Sequence, residues 1–268
     1  MIIDGRAIAE DMYEALTKRR ALFGRGIKLG IIVGAPSPVI ESFVRIKTRA
    51  AAKLNIEMVR VDLHEGADTA AVIEMVKRLA QETDSVIVQL PLPKTLDTNA
   101  ILAAIPPEKD VDALNPTVPE DKHPVFAPVA LAVIELLKRA GVQIEGKKAV
   151  VVGAGRLVGA PSAVLLKRLG ARVSMFTLKE GSVEDLKDAD IIVCGAGNPG
   201  FIKAEQIKEG VAMIDAGASE SKGRVVGDAD PACAEKASVI SPVPGGVGPV
   251  AVAMIFRNLF DLLEKSRA

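Results

Sequence analysis

The fold of this chain is decided by the segment Ala149-Val-Val-Val-Gly-Ala-Gly-Arg-Leu-Val-Gly-Ala-Pro161. An apolar, β-branched run ends at Gly153, and Gly155 and Gly159 follow just before residues with helical spacing. Residues without a Cβ atom let the backbone approach a pyrophosphate closely, and free N–H groups at a helix N-terminus bind it. We therefore interpret the segment as the start of a dinucleotide-binding βαβ unit. The alternative is an ordinary α/β crossover, because glycine also serves in tight turns.

The strand predicted next, over residues 172–177, indicates which dinucleotide is bound. An NAD site usually has an Asp or Glu near the end of this strand, where it accepts hydrogen bonds from the ribose 2′-hydroxyl. Here no acid precedes Glu180, and Arg156 and Lys179 are available to pair with a 2′-phosphate. NADP is therefore favoured over NAD, although two basic residues near a loop are more often only solvated. The predicted cofactor-binding residues are Gly153, Gly155, Arg156, Val158, Gly159, Thr177 and Lys179.

Composition excludes several classes of function. The chain has 268 residues, enough for two modest domains or one large one. Lys+Arg and Asp+Glu balance at 34 each, which argues against a general nucleic-acid or anionic-membrane surface. Aromatic residues make up only 3%, with no Trp, so the stacking platforms of a single-strand binder are missing. We expect no nucleic-acid partner.

The two cysteines and the distribution of apolar residues point to a soluble protein without a metal centre. Cys194 and Cys233 lack the spacing of metal ligands, and buried thiols are the simpler interpretation. The sequence has neither a signal peptide nor an apolar run long enough to span a bilayer. We expect a cytoplasmic protein that does not bind membranes.

Residues 1–120 alternate between helical and extended patterns. Such alternation predicts a parallel sheet covered by helices on both faces. A first amphipathic helix is marked by Ile8, Met12, Ala15 and Leu16. Buried strands are expected over residues 27–33, 56–63 and 85–90, and helices over roughly 39–54 and 68–82.

A proline-rich segment over residues 105–119 interrupts this rhythm and marks a domain boundary. We predict two α/β domains flanking a cleft, the second a Rossmann-type dinucleotide-binding domain, with the cleft as the ligand site. The first domain covers residues 1–120 and is completed by a C-terminal helix over 248–268; the second covers 121–247. Further expected elements are a helix over about 127–140 and strands over 189–195, 211–217 and 238–241.

Four polar residues of the first domain are candidates for chemistry. Lys47 lies four residues after Phe43 on a predicted helix, so the two share a face. Gln89 ends the third strand, where a side chain points into the crevice in which parallel sheets bind ligands. Each has a simpler interpretation: Lys47 as a surface lysine, Gln89 as a cap on the strand-to-loop turn. For Asp110 and Asp112, which lie in the proline-rich segment, the simpler interpretation is that each caps a local turn.

A glycine- and proline-rich run precedes the C-terminal helix. Residues 244–249 read Pro-Gly-Gly-Val-Gly-Pro, three glycines and two prolines. A flexible turn seldom needs such rigid alternation, so a second backbone-lined ligand wall is predicted at Pro244, Gly245 and Gly246.

Several motifs, in order along essentially the whole chain, resemble those of the bifunctional methylenetetrahydrofolate dehydrogenase/cyclohydrolase family. The most specific is Ser241-Pro-Val-Pro-Gly-Gly-Val-Gly-Pro249, followed by Val252-Ala-Met254. The other motifs are Val88-Gln-Leu-Pro-Leu-Pro93, Pro107-Glu-Lys-Asp-Val-Asp112, Val151-Val-Gly153 with Val158-Gly-Ala-Pro161, and Ile214-Asp215 with Gly227-Asp228.

The resemblance implies two reactions on tetrahydrofolate derivatives and a homodimeric enzyme of one-carbon metabolism and purine biosynthesis. A hydride passes from 5,10-methylenetetrahydrofolate to NADP (NAD remains possible), and water then converts the methenyl product to 10-formyltetrahydrofolate. It implies that Lys47 is the family lysine, with Gln89 beside it, and that Asp112 binds the pterin. Burial next to a developing cation is expected to lower the pKa of Lys47, so that a neutral amine can accept protons. Phe43, Pro244, Gly245 and Gly246 would contact substrate.

The chain departs from the family pattern in ways that leave alternatives open. Phe43 replaces a Tyr, and the usual Gly-Arg-Ser of the nucleotide turn is Gly153-Ala154-Gly155, with Arg156 displaced by two positions. Phe176-Thr177-Leu178 replaces Cys-His-Ser, Val250-Ala251 replaces Met-Thr, and Val125-Phe-Ala-Pro128 replaces Pro-Cys-Thr-Pro. The alternatives are a dehydrogenase with weak or absent cyclohydrolase activity, an enzyme using another tetrahydropterin carrier, and a non-catalytic folate- or nucleotide-binding homologue.

Overall fold

A computed structural model describes residues 1–34, 37–119, 121–177, 180–221 and 224–266. By its contacts the chain divides into two units. The three-stranded unit consists of Met12–Pro128 and Ile255–Ala268, and the five-stranded unit of Met1–Asp11 and Val129–Met254. Lys179, predicted to contact a 2′-phosphate, lies outside the described residues.

The first half of the chain alternates helices and strands as predicted. Its elements are α1 (Gly5–Arg20), β1 (Lys28–Val33), α2 (Pro38–Lys53), β2 (Glu57–Asp62), α3 (Thr69–Glu82), β3 (Ser85–Gln89), α4 (Thr98–Ala103) and a 3-10 turn (Pro107–Lys109). The strands form a parallel sheet in the order β2-β1-β3, with Val33 opposite Gln89. Because the strands are parallel, their carboxyl ends share one edge, and Gln89 ends β3 there.

Helix α3 packs on the central strand β1 through close contact of a leucine side chain with the strand backbone. Val72, Val76 and Leu79 recur at helical spacing and are buried in the core of this unit. A Cβ atom at Gly30 of β1 would lie 2.6 Å from Leu79 Cγ, so only glycine admits the leucine side chain here. Asp68 caps the helix by accepting a hydrogen bond from Ala71 N at 2.8 Å.

The second half of the chain forms the predicted Rossmann-type sheet. Its elements are α5 (Pro128–Arg139), β4 (Lys148–Val152), α6 (Gly159–Arg168), β5 (Arg172–Phe176), α7 (Val183–Lys187), β6 (Ile191–Cys194), a 3-10 turn (Ala204–Gln206), β7 (Ala212–Asp215), β8 (Ser219–Ser221), β9 (Arg224–Val226), α8 (Cys233–Lys236), β10 (Val239–Ile240) and α9 (Val247–Lys265). Five strands run parallel in the order β10-β7-β6-β4-β5, while β8 and β9 form an antiparallel pair. The predicted α/β class is confirmed.

The carboxyl-terminal part of α9 belongs to the three-stranded unit and packs on α1. Phe260 is fully buried, and its ring stacks on that of Phe23 with centroids 5.3 Å apart. Arg19 of α1 donates to Asp261 and Glu264 at 2.6 Å each, and its guanidinium carbon lies 5.7 Å from the Phe260 ring centroid. This segment of α9 is therefore held on several sides.

Short elements and element ends differ from the sequence predictions. Helices α4, α7 and α8 and the β8–β9 pair were not predicted, because these elements of three to six residues carry too little periodicity to be recognised. The predicted strand over 189–195 is confined to Ile191–Cys194. Cys194 and Cys233 are free and buried, as expected. None of the described helices is both long and apolar enough to cross a membrane.

Candidate functional site

A hydrogen bond joins the lysine of α2 to the glutamine that ends β3. Lys47 Nζ donates to Gln89 Oε1 at 2.7 Å, and Gln89 Nε2 donates to Leu90 O at 2.8 Å. The second bond defines which side of the amide faces the lysine, so that Oε1 is the atom offered to Nζ. Gln89 is buried, and Lys47 is partly buried, unlike an ordinary surface lysine. The structure thus brings together two of the three predicted catalytic residues by direct contact.

Asp112 is electrostatically coupled to this pair. Burial lowers the pKa of Lys47, and the negative charge of Asp112 opposes that shift. Burial likewise raises the pKa of Asp112, and the positive charge of Lys47 opposes it. Each group is desolvated and is compensated mainly by the other, so the lysine can lose its proton more readily than a solvated one. An amine that loses its proton readily can act as a base.

Asp110 serves the turn rather than the lysine. It is 1% exposed, and its Oδ2 accepts hydrogen bonds from Leu114 N at 2.8 Å and Asn115 N at 2.7 Å. Its Oδ1 is buried and has no hydrogen-bond partner among the described residues. Burial raises the pKa of Asp110 to about 7, against the effect of the Asn115 backbone N–H. The interpretation of Asp110 as a turn cap is therefore confirmed.

An apolar surface adjoins Lys47 on α2. Phe43 and Ile46 lie four and one residues before the lysine, and their exposed fractions are 36% and 44%. Residues at i, i+3 and i+4 share one face of a helix, so the two apolar side chains flank the amine. Phe43 and Ile46 therefore offer a hydrophobic surface to an aromatic ligand, and neither side chain has a hydrogen-bonding group.

The glycine-rich turn after β4 packs as a nucleotide-binding turn does. Gly153 has φ of 94°, and its N–H donates to Phe176 O at 2.9 Å. A Cβ atom at Gly159 would collide with Gly153 O, so the first turn of α6 rests directly on the backbone of the turn. Helix α6 begins without a side-chain cap, but Ala160 N donates to Gly155 O at 3.2 Å and Pro161 has no N–H. Of these first three residues of the helix, Gly159 is the one whose N–H is left for an anion. The sequence motif is therefore in the required strand–turn–helix context.

The remaining predicted cofactor residues that the structure describes lie around the same turn. Gly155 and Arg156 are exposed, and Val158 packs close to Gly195, where a Cβ atom would lie 2.4 Å or more from the valine side chain. Thr177 follows β5, and its Oγ1 accepts a hydrogen bond from Glu180 N at 3.2 Å. Neither Phe176 nor Thr177 carries the carboxylate that an NAD site places at the end of this strand.

Two buried carboxylates near the turn received no role from the sequence beyond membership in a family motif. Asp228 accepts hydrogen bonds from Ala196 N at 2.7 Å, Gly197 N at 3.1 Å and Asn198 N at 2.7 Å. Asp215 accepts three more, from Gly217 N, Asp228 N and Ala229 N. Burial raises the pKa of Asp215 to about 6. Together they hold the loops after β6 and β7, at the edge of the sheet that carries the glycine-rich turn.

The predicted ligand wall at Pro244, Gly245 and Gly246 belongs to the five-stranded unit. Gly245 has φ of 110°, which L side chains rarely adopt. A Cβ atom at Gly5, the first residue of α1, would collide with Gly246 O, so the run packs backbone against backbone. The wall's contact with a ligand stays a prediction. Among the described residues, no group of three or more His, Cys, Asp or Glu side chains is arranged to hold a metal ion.

Comparisons with known proteins agree on one family. Residues 3–112 match the family described as tetrahydrofolate dehydrogenase/cyclohydrolase, catalytic domain, and residues 127–267 match its NAD(P)-binding domain. The curated bifunctional protein FolD of Methanoculleus marisnigri is 36% identical over 269 residues, covering 97% of this chain and 95% of its own. That of Staphylococcus aureus is 37% identical over 278 residues, covering 99% and 97%.

A solved structure is similar over the whole chain. The Trypanosoma brucei N5,N10-methylenetetrahydrofolate dehydrogenase-cyclohydrolase (FolD), complexed with NADP cofactor and an inhibitor, superposes with a TM-score of 0.93 at 35% identity. The match covers 100% of this chain and 98% of the trypanosomal one.

We predict that Arg156→Ala weakens NADP binding selectively. Loss of a charge-assisted contact to the 2′-phosphate should cost about 1.5–3 kcal/mol, or roughly 10- to 100-fold in the NADP dissociation constant. NAD, which lacks that phosphate, should bind as in the wild type. Titrating both nucleotides by calorimetry provides the test, with Arg168→Ala at the other end of α6 as control. An equal loss for NADP and NAD would mean that Arg156 does not read the phosphate.

We predict that the free energy of unfolding of Asp110→Asn, relative to that of the wild type, increases as pH rises from about 4 to about 7. Because the folded-state pKa of Asp110 is about 7, the native state holds a proton that the unfolded state releases near pH 4. Wild-type stability therefore contains a contribution that falls by up to about 1.4 kcal/mol per pH unit between those values and levels off above pH 7. The asparagine keeps an acceptor for both backbone N–H groups and removes this dependence.

Urea unfolding at pH 5, 6, 7 and 8 measures the effect, and Asp84→Asn is a control for which no pH dependence is expected in this range. Although burial raises the pKa of Asp84, hydrogen bonds from Arg25 and the Lys28 backbone lower it overall. Because the folded-state and unfolded-state pKa values of Asp84 both lie below pH 5, the difference between the Asp84 variant and wild type should be constant over this range. A pH-independent difference between Asp110→Asn and wild type would contradict the raised pKa.

Proposed function

Because the chain belongs to the tetrahydrofolate dehydrogenase/cyclohydrolase family, we propose that it oxidises 5,10-methylenetetrahydrofolate with NADP and hydrolyses the methenyl product to 10-formyltetrahydrofolate. The observation that carries the proposal is the contact of Lys47 Nζ with Gln89 Oε1 at 2.7 Å, beside the charge of Asp112. NADP accepts the hydride when it is bound. The residues around Gly153 fit such a cofactor, since they combine close backbone approach, an uncapped helix N-terminus and no acid at the end of β5.

In the dehydrogenase step, the protein's task is to hold the folate in one orientation. Asp112 offers two carboxylate oxygens to the adjacent ring N–H and amino donors of the pterin, a bidentate, charge-assisted pair. Phe43 and Ile46 provide an apolar surface for the aromatic part of the substrate. With the ligand so held, the reacting carbon would be presented to a bound nicotinamide in one orientation, and most of the rate gain would come from that orientation.

In the cyclohydrolase step, Lys47 and Gln89 act on water. Water adds to the methenyl carbon of the cation, and one of its protons must leave as the carbon–oxygen bond forms. The neutral amine of Lys47, with its lowered pKa, accepts that proton, and the positive charge of the bound methenyl substrate further disfavours a charged lysine before water adds. Gln89 orients Lys47 through its Oε1, which in turn is held by the bond from Nε2 to Leu90 O.

We extend the proposal to the setting of the enzyme. A homodimer in the cytoplasm that supplies one-carbon units for purine biosynthesis is what membership in the family supports. Sedimentation equilibrium of the purified chain tests the dimer, and a monomer at assay concentration would refute it.

A second candidate function is a dehydrogenase whose cyclohydrolase step is slow. The observation that favours it is Phe43, which flanks Lys47 and offers neither donor nor acceptor. Hydride transfer depends mainly on orientation, which the phenyl ring still supports. Hydration needs a held water and a proton acceptor, so it depends more on the polar groups around the amine.

We predict that Asp112→Ala loses folate binding and keeps nucleotide binding. Removing a bidentate, charge-assisted contact should cost on the order of 2–4 kcal/mol in folate affinity. Initial rates of NADPH formation, measured against both substrates, give the two Michaelis constants separately. Folate affinity equal to that of the wild type would leave Asp112 with a structural role only.

We predict that Lys47→Met abolishes cyclohydrolase activity and that Phe43→Tyr raises it. The first change removes the proton acceptor, and the second supplies a hydroxyl beside it. The decay of methenyltetrahydrofolate absorbance, corrected for the buffer reaction, measures the step. Lys53→Met is the matched control, because Lys53 lies on the same helix with its Nζ 4.9 Å from the centre of the Tyr13 ring. Brisk hydrolysis by the wild type, unchanged in Phe43→Tyr, would show that the hydroxyl is not needed.

A further inference from the structure

The buried side-chain amide of Asn258 connects helix α9 to the loop that carries Asp112. Asn258 of α9 is 1% exposed, and its Nδ2 donates to Val111 O and to Phe126 O, both at 2.8 Å. The acceptors lie 147 and 132 residues earlier in the chain. Val111 is the residue directly before Asp112, so the first bond holds the peptide that leads into the predicted pterin ligand.

The backbone on both sides of Asp112 is fixed by further buried contacts. Asp110 pairs with Val86 of β3 as an isolated bridge, and its carboxylate accepts from the backbone of Leu114 and Asn115. Ala113, the next residue after Asp112, has φ of 53°, a conformation that costs energy for any residue but glycine. A segment held in that conformation needs bonds on each side. Asn258 supplies one such bond, from helix α9.

We propose that Asn258 is a positioning residue for the folate site, acting through the Asp112 loop. The proposal rests on the proposed function, in which Asp112 binds the pterin. A primary amide is suited to the task because its two N–H donors, in one plane, can serve two carbonyl groups at once. Asn258 is itself immobilised, since the helix around it is buried through Phe256 and Leu259. Helix α9 thereby determines the position of the Asp112 carboxylate.

The proposal differs from a general packing role in its kinetic signature. Loss of both donors leaves two buried carbonyl groups unsatisfied, so any substitution at Asn258 lowers stability. A packing role predicts only that loss. A positioning role predicts in addition a rise in the Michaelis constant for methylenetetrahydrofolate, with the constant for NADP unchanged, because only the folate contact is displaced.

The experiment compares two Asn258 variants with a control on the same helix. Asn258→Asp is nearly isosteric but has no donor when ionised, and Asn258→Ser retains a single donor. Phe260→Leu is the control, because it creates a cavity against Phe23 without touching the Asp112 loop. We expect a rise of about tenfold in the folate Michaelis constant for Asn258→Asp and a smaller one for Asn258→Ser. Phe260→Leu should lower the melting temperature and leave that constant unchanged. If Asn258→Asp does not fold, Asn258→Ser carries the test.

A double-mutant cycle with Asp112→Ala separates the two hypotheses. If Asn258 acts through Asp112, the Asn258 substitution should change the folate constant by less than about twofold once Asp112 is gone. The inference is overturned if the two effects multiply independently, if Phe260→Leu raises the folate constant equally, or if both Asn258 variants match the wild type. Unchanged folate affinity in Asp112→Ala alone would instead refute the proposed role of Asp112, a result distinguishable from the others.

Discussion

The shared desolvation of Lys47 and Asp112 is the interaction on which the proposed chemistry depends. Burial disfavours the charged form of both groups, and the charge of each opposes the pKa shift of the other. The balance leaves an amine with a lowered pKa hydrogen-bonded to Gln89, which a solvated lysine would not be. Because a buried, partly compensated pair is costly, the surrounding backbone must hold it in place. In the three-stranded unit, the hydrogen bonds of Gln89, Asp110 and Asn258 to the backbone provide that support.

Both units place their functional groups at the carboxyl edge of a parallel sheet. Gln89 ends β3, the glycine-rich turn follows β4, and Asp215 ends β7. At this edge the loops between strands and helices have free backbone N–H groups, which ligands or side chains must satisfy. Asp215 and Asp228 satisfy six of them from within the protein. The uncapped start of α6 leaves the N–H of Gly159 for a ligand, so this edge combines loops held by carboxylates with a candidate anion site.

The accuracy of the sequence predictions followed the strength of the apolar pattern. The buried strands and long helices were predicted to within a few residues, because a continuous apolar run marks even a strand as short as Ile191–Cys194, and apolar periodicity marks a long helix. Short elements without such a pattern, such as α4 and the β8–β9 pair, were missed. The roles of Lys47, Gln89 and Asp112 came from family resemblance, since no local pattern distinguishes a site lysine from a surface one. The domain boundaries remain a prediction.

The sequence by itself determined the α/β class, the nucleotide turn and the family, because glycine spacing and buried apolar runs act over a few neighbouring residues. Only the tertiary structure decided which buried polar groups support the site. In the structure, Asp110 caps a turn by accepting a hydrogen bond from Leu114 N, and Asp228 stabilises the loop after β6 by accepting one from Ala196 N. Asn258 reached carbonyl groups more than a hundred residues away. Such bonds form because a buried donor must find whatever acceptor the fold brings near it, and no local sequence pattern specifies that partner.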